Sequence, residues 1–169
     1  ITKIINGEIN CQLTTVSVGV ETSSSIEKVI WNNLNFNTLI ANVSKKGSYT
    51  GSLTAFNGCK TNFTVNVTEN IKKPIITVIG DTIDCQRSKI DLILTTSDSL
   101  KSVVWFGPNQ QVLNGKKVKI TQAGKYMVTA TGINGCVTID SVIIEDKKVF
   151  PFVALQDTFL MPCNGDSVR

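Results

Sequence analysis

Gly124-Lys125-Tyr126-Met127-Val128-Thr129-Ala130-Thr131-Gly132-Ile133-Asn134-Gly135-Cys136 is the stretch whose reading decides the fold. Gly-x-Tyr opens it, apolar and threonine residues fill its middle, and Asn-Gly-Cys closes it. That is a strand left through a tight turn. The same stretch occurs earlier as Gly47-Ser48-Tyr49-Thr50-Gly51-Ser52-Leu53-Thr54-Ala55-Phe56-Asn57-Gly58-Cys59. Outward from the two copies, Cys11-Gln12 matches Cys85-Gln86, and Trp31 and Trp105 each lie twenty residues after their cysteine. Cys163 opens a third copy. The chain is therefore a tandem array with a period of about 75 residues. Such arrays work by length, stiffness or multivalency more often than through one catalytic pocket.

The composition agrees with a folded, strand-rich chain. Of 169 residues, 41 % are hydrophobic and 18 % charged, an ordinary globular profile. Val, Ile and Thr are abundant, as strands favour. Each unit is small, so its core is modest and covalent staples would help. The net charge is +4. The lysine pairs Lys45-Lys46, Lys72-Lys73, Lys116-Lys117 and Lys147-Lys148 are scattered, which reads as a solvated surface and no nucleic-acid partner. No apolar stretch is long enough to span a bilayer.

Histidine is absent, which removes the usual catalytic triads and most metal centres. There is no Gly-rich phosphate loop and no G-x-S-x-G elbow. The expectation is a chain that is not an enzyme, with no catalytic residues, cofactor or metal. Asp81 and Asp84 could suggest calcium. Lys72 and Lys73 at the first junction argue against it, because calcium needs several acidic oxygens there.

Turn residues cut each copy into short strand-like runs. In the second copy they are 74–80, 89–95, 101–106, 110–113, 117–121, 125–131 and 137–145. In the first they are 2–5, 13–20, 28–31, 38–43, 48–55 and 61–68. No segment has a helical period. Seven short strands with Asn-Gly turns predict an antiparallel sandwich. The linkers Asn70-Ile71-Lys72-Lys73-Pro74 and Asp146-Lys147-Lys148-Val149-Phe150-Pro151 are brief and end in proline, which restricts motion between units. The expected segments are 1–72, 73–147 and 148–169, the last being the first strands of a truncated third repeat.

Two landmarks specify the sandwich further. In immunoglobulin-like domains a Trp on the third strand fills the core, and Trp31 and Trp105 hold that position. Gly-x-Tyr at the entry to the sixth strand is the place of a tyrosine corner, here Tyr49 and Tyr126, whose phenol bonds back to the upstream chain. The fold class is thus all-β, with tandem immunoglobulin-like seven-stranded antiparallel β-sandwiches. Core packing is the better reading of both tryptophans than sugar stacking. Phe36, Phe106, Phe150, Phe152 and Phe159 are likewise expected in cores and junctions. One departure is clear: two residues after the tyrosine an antibody domain has Cys, and here stand Gly51 and Val128.

The order Cys, alternating strand, Trp, Gly-x-Tyr, Asn-Gly-Cys, alternating strand resembles the immunoglobulin-like and PKD-like repeats of giant Bacteroidetes cell-surface proteins. These include gliding and adhesion proteins exported by the type IX secretion system. The resemblance implies a secreted or surface-anchored structural module, a semi-rigid rod in an adhesive filament on the bacterial cell surface. Its partners would be neighbouring repeats of the same chain and a surface glycan or protein ligand. A second reading is a glycan-binding accessory array on a secreted polysaccharide-degrading enzyme, and a third is a piece of the secretion or outer-membrane machinery. The resemblance also implies O-glycosylation at Asp-Ser/Thr-aliphatic triplets. Candidates are Thr82, Ser99, Ser141 and Ser167, each preceded by Asp and followed by Ile, Leu or Val. Asp-Ser and Asp-Thr are also ordinary turn pairs. The sequons at Asn42, Asn62 and Asn66 read as coincidence in an Asn- and Thr-rich chain.

Five cysteines with no His and no C-x-x-C pair argue for disulfides and an oxidising compartment. One scheme closes each unit, Cys11 with Cys59 and Cys85 with Cys136. Strand lengths oppose it. Cys85 lies before the second strand and Cys136 beside the last turn, at opposite ends of a sandwich roughly 20–25 Å long, whereas a disulfide needs Cα atoms within about 7 Å. In a head-to-tail array these ends face each other across a junction. The favoured scheme therefore joins Cys11 to Cys136 between units, with Cys59, Cys85 and Cys163 pairing to flanking repeats.

Overall fold

Alternation sets the strands. In Lys60–Asn70, Phe63, Val65 and Val67 are buried, while Thr64, Asn66 and Thr68 face water, the period of two that a half-buried strand requires. The structure is a computed structural model and describes residues 1–149. Expectations that fall on 150–169, including Cys163, Ser167 and most of the third segment, lie outside the described residues.

The first sandwich comprises β1 (Lys3–Ile5), β2 (Gly7–Asn10), β3 (Val16–Glu21), β4 (Ile26–Trp31), β5 (Ile40–Val43), β6 (Gly47–Ala55) and β7 (Lys60–Asn70). The second comprises β8 (Thr77–Ile79), β9 (Ile90–Thr95), β10 (Leu100–Phe106), β11 (Val112–Asn114), β12 (Lys117–Ile120), β13 (Gly124–Gly132) and β14 (Val137–Ile144). A sheet ordered β1-β3-β5 faces one ordered β2-β7-β6-β4, and β8-β9-β12 faces β11-β10-β13-β14.

The antiparallel expectation needs one correction. β2 runs parallel to β7, from Gly7 opposite Val67 to Asn10 opposite Asn70. The opening strand changes sheets near Asn6, so that β1 covers an edge of one sheet and β2 an edge of the other. This protects both edges from stray pairing. In the second sandwich the same crossing leaves a single parallel bridge, Ile83 with Asp146.

Each sandwich encloses its own apolar cluster. One is built from Ile9, Val18, Val20, Trp31, Leu53, Phe63, Val65 and Val67, among others. The other includes Ile83, Leu92, Leu94, Trp105, Tyr126, Val128 and Ile144. Trp31 is 4 % and Trp105 0 % exposed, and each indole N–H is satisfied. Trp31 Nε1 donates to Thr38 O and Trp105 Nε1 to Gly115 O, both at 2.9 Å. The tyrosine corners are formed too. Tyr49 donates to Lys45 O at 2.6 Å, and Tyr126 donates to Gln122 O at 2.9 Å. Burial raises the Tyr126 phenol above its ordinary pKa.

The cores are filled differently at one register position. Gly51 pairs with Trp31 on one side and Phe63 on the other. The Phe63 ring lies over Gly51, in the space where a side chain would stand, and meets the Trp31 ring edge-on with centroids 4.7 Å apart. In the second sandwich Val128 pairs with Trp105 and Asp140. There Val128 fills the core and Asp140 faces solvent. The expectation for two phenylalanines is corrected: Phe36 and Phe106 are exposed. Phe106 lies opposite Met127 and Val112, both exposed, on the outer face of its sheet.

Candidate functional site

The site is the contact between the two sandwiches, and short turns build it. Asn10 caps the turn after β2: its Oδ1 accepts from Gln12 N at 2.9 Å and Leu13 N at 2.8 Å. This fixes Cys11 at the end of the sandwich from which β7 exits. On the second sandwich, Asn134-Gly135-Cys136 turns between β13 and β14. Gly135 adopts φ +78°, a left-handed conformation that suits glycine. Gly135 N donates to Gly132 O at 3.0 Å, and Gly132 N to Cys136 O at 2.8 Å.

Cys11 and Cys136 are joined in a disulfide, with Cα atoms 4.9 Å apart and 125 residues between them in sequence. The alternative of one bridge inside each unit is excluded by distance. Cys11 follows β2, whose end pairs with the end of β7, while Cys59 precedes the start of β7. They are separated by the length of that strand, roughly 35 Å. Cys85 and Cys136 are likewise kept apart by β14. Cys59 and Cys85 are free and exposed among the described residues.

Around the disulfide, Asn134 acts as a clamp. Its Nδ2 donates to Asn70 O at 3.2 Å, Asn70 Oδ1 at 2.9 Å and Lys72 O at 2.9 Å, so two N–H groups are shared by three acceptors of the linker. Its Oδ1 accepts from Cys136 N at 3.2 Å, and its backbone carbonyl accepts from Cys11 N at 3.2 Å. The Gln12 side chain packs on Gly135 so closely that a Cβ there would overlap it. Further along the linker, Thr138 Oγ1 donates to Pro74 O at 2.6 Å, and Asp98 Oδ2 accepts from Ile75 N at 2.7 Å. Sequence reading finds the cysteines and the turn but misses this clamp. Its only signal is the recurrence of Asn before Gly-Cys.

Of the remaining sequence candidates, Ser99 borders the junction, lining a cleft with Asn70, Lys72 and Asn134. Ser99 and Ser141 are exposed and Thr82 is half-buried. Asp81 and Asp140 each cap the following residue, accepting from Thr82 N and Ser141 N at 2.7 Å. Asp81 and Asp84 are bridged by Arg87, a partner that sequence reading did not assign. The backbone N–H of Arg87 is the largest cause holding the Asp84 carboxyl below its ordinary pKa. Hydrogen bonding to Asp84 in turn raises that of Arg87. Among the described residues no cluster of three or more His, Cys, Asp or Glu is placed to hold a metal. Both tryptophan rings are buried, so neither can serve as a sugar-stacking platform. Among the described residues no helix is long and apolar enough to cross a membrane.

No family model and no curated protein matches the sequence. Solved structures similar to it include the following three. The crystal structure of DIP-gamma IG1+IG2 is 14 % identical over 86 % of this chain and 95 % of that one, with a TM-score of 0.41. Murine CEACAM1b is 16 % identical over 83 % and 94 %, with a TM-score of 0.39. Extracellular domains 3-5 of Drosophila OTK are 14 % identical over 87 % and 61 %, with a TM-score of 0.44. The assignment of class rests on the chain's own sheets, tryptophans and tyrosine corners: this is an all-β protein of tandem immunoglobulin-like sandwiches.

Proposed function

We propose that the chain is a non-enzymatic structural and adhesive module, a semi-rigid rod of immunoglobulin-like units at 1–72 and 73–147, with 148–169 beginning a third. The reading sets it in a large secreted or surface-anchored protein. Following the sequence resemblance, that protein is a bacterial adhesive or gliding filament carried out by type IX secretion. Thr82, Ser99, Ser141 and Ser167 are its glycosylation candidates. In a longer array, Cys59, Cys85 and Cys163 would repeat the Cys11–Cys136 staple with flanking units.

The observation that carries the reading is the junction itself. A covalent bond and a hydrogen-bonded clamp hold the same contact, where a flexible tether would suffice to string independent domains together. A disulfide also fits an oxidising, extracellular setting. Stiffness is the property such a contact supplies, and residual dipolar couplings measure it. The oxidised protein should fit one alignment tensor across both units. The Cys11→Ser/Cys136→Ser double variant should keep both folds and need two tensors. Two independent tensors in the oxidised protein would overturn the rod.

A further inference from the structure

β14 is the outer strand of its sheet, and over most of its length no strand among the described residues bonds to its outer side. Gly132 N donates to Cys136 O at 2.8 Å where β13 and β14 meet, and Ile83 N donates to Glu145 O at 3.0 Å on the opposite side. Backbone groups alternate sides along a strand. The even-numbered residues of β14 therefore bond to β13, and the odd-numbered ones, Val137, Ile139, Ser141 and Ile143, present N–H and C=O at the edge. Both stretches of the second sandwich that could cover this edge are described, and both are engaged elsewhere. β8 pairs with β9, and Ile83 reaches only Asp146, beyond the end of β14. The edge is left open by the unit's own strands.

The first sandwich guards the same edge better. Counted from Asn-Gly-Cys, Asn66 of β7 holds the place of Ile143, and its N–H donates to Asn6 Oδ1 at 2.8 Å. Counted from Cys11 and Cys85, Gly80 stands where Asn6 would, with no side chain to offer. The outward residues differ too. On β7 they are Lys60, Asn62, Thr64 and Asn66, all polar. On β14 three of the four are aliphatic, and Ile139 is 61 % and Ile143 72 % exposed. A long edge with apolar side chains is a template for a further strand. One group guards it: Asp140 Oδ1 accepts from Ser141 N at 2.7 Å and so occupies the central donor.

We infer that β14 pairs antiparallel with β14 of a second copy, about a two-fold axis at Ser141, so that two chains lie side by side. The pattern of the strand selects this occupant and this register. Only odd-numbered residues carry backbone groups at the edge, so odd must face odd. Opposite residues also share a face of the sheet, so a partner strand must present the same faces in reverse order. Ile139-Asp140-Ser141-Val142-Ile143 does this for itself. Reversed about Ser141, Ile139 falls opposite Ile143 of the other copy, Ser141 opposite Ser141, and Ile143 opposite Ile139. Each such pair exchanges two backbone hydrogen bonds, and aliphatic side chains meet on either side of the axis. Moving the axis to Asp140 would set two carboxylates opposite each other with Cα atoms about 4.5 Å apart, which like charges oppose. In the Ser141 register Asp140 faces Val142 instead. The contact is isologous, so it closes at a dimer. It goes beyond the rod reading and uses the second unit alone.

The test uses the full oxidised chain with its remaining thiols alkylated by iodoacetamide, so that no disulfide can join two copies. Sedimentation equilibrium should show monomer and dimer exchanging by mass action, and nothing larger. In a mixture of isotope-labelled and unlabelled chains, filtered NOEs should connect Asp140 Hα to Val142 Hα of the other copy, the close pair of this register. Ile139→Lys changes an exposed position, so it should keep the fold and weaken the dimer roughly tenfold or more. Asp140→Ala releases the Ser141 N–H for pairing and should tighten the dimer roughly tenfold, the effect of about one hydrogen bond. A monomer at every concentration, species beyond the dimer, or a dimer whose contacts lie outside β14 would overturn the inference. So would a weaker dimer in Asp140→Ala. None of these outcomes bears on the rod, which the alignment tensors test separately.

Discussion

The two sandwiches share their landmarks and differ in what surrounds them. Trp31 and Trp105, and Tyr49 and Tyr126, make the same hydrogen bonds in both. The two Asn-Gly-Cys turns have the same backbone geometry. Yet among the described residues one turn is covered by a neighbour and the other is open, and one core uses an aromatic pair where the other uses a valine. A repeated local sequence thus fixes a strand, a corner or a turn. What that element packs against is decided by residues far away in the chain.

The largest expected effect tests the core difference. Phe63→Ala removes a buried ring that lies against Trp31, and should cost about 3–5 kcal/mol in chemical denaturation of the first unit. Its register counterpart Asp140 faces solvent, so Asp140→Ala should stay within about 0.5 kcal/mol. Equal costs at the two positions would break the claim that Phe63 and Val128 fill the same space from different strands. Gly51→Val in the Phe63→Ala background should not recover the loss, because a Cβ at Gly51 also meets the backbone carbonyl oxygen of Ile30 at 2.5 Å.

A smaller effect separates the two turns. Asn134→Asp keeps the oxygen that caps Cys136 but replaces the donating amide with a carboxylate facing the carbonyls of Asn70 and Lys72. The junction should lose about 1–3 kcal/mol, since linker acceptors lose their donor and meet a negative charge. The readout is thermal unfolding together with faster amide exchange along the linker. Asn57→Asp keeps the equivalent oxygen and faces solvent, so its effect should be near zero. If both variants behave alike, the amide of Asn134 is no clamp and the disulfide alone holds the contact.

These pairs also show which parts of the molecule can be read from sequence. Trp31, Trp105, Tyr49 and Tyr126 are legible because each has one bulky apolar body, one polar tip and a repeated address. The pairing of Cys11 with Cys136 is legible because strand length alone keeps the two ends of a sandwich apart. β2 is not, because Gly7-Glu8-Ile9-Asn10 buries only Ile9 and shows no alternation to detect. Its parallel pairing comes from the need to cover an exposed edge, a property of the assembled sheets. The Asn134 clamp is hidden for a similar reason. Its acceptors are backbone carbonyls and an amide more than sixty residues away, and the same tripeptide at Asn57 has no such partners among the described residues. The exposed Phe106 misleads in the opposite direction, because an aromatic residue on a strand gives no sign of which face it takes.

The smallest effect concerns the turns that carry Cys11 and Cys85. Asn10 and Asp84 cap them with the same two backbone bonds, but only Asp84 titrates. Its carboxyl is held below its ordinary pKa in the folded chain, first by the backbone N–H of Arg87. A lowered carboxylate pKa means that the folded state binds the proton less readily than the unfolded one. The stabilisation is therefore fully present above the unfolded value and is lost as pH falls below about 4. The amides of Gln86 and Arg87 should shift and exchange faster through that window, while those of Gln12 and Leu13 hold steady. Asp84→Asn should abolish the acid response and leave the turn intact, because asparagine already supplies the same cap at position 10. A response that survives in Asp84→Asn would break the assignment of the acid sensitivity to the Asp84 cap.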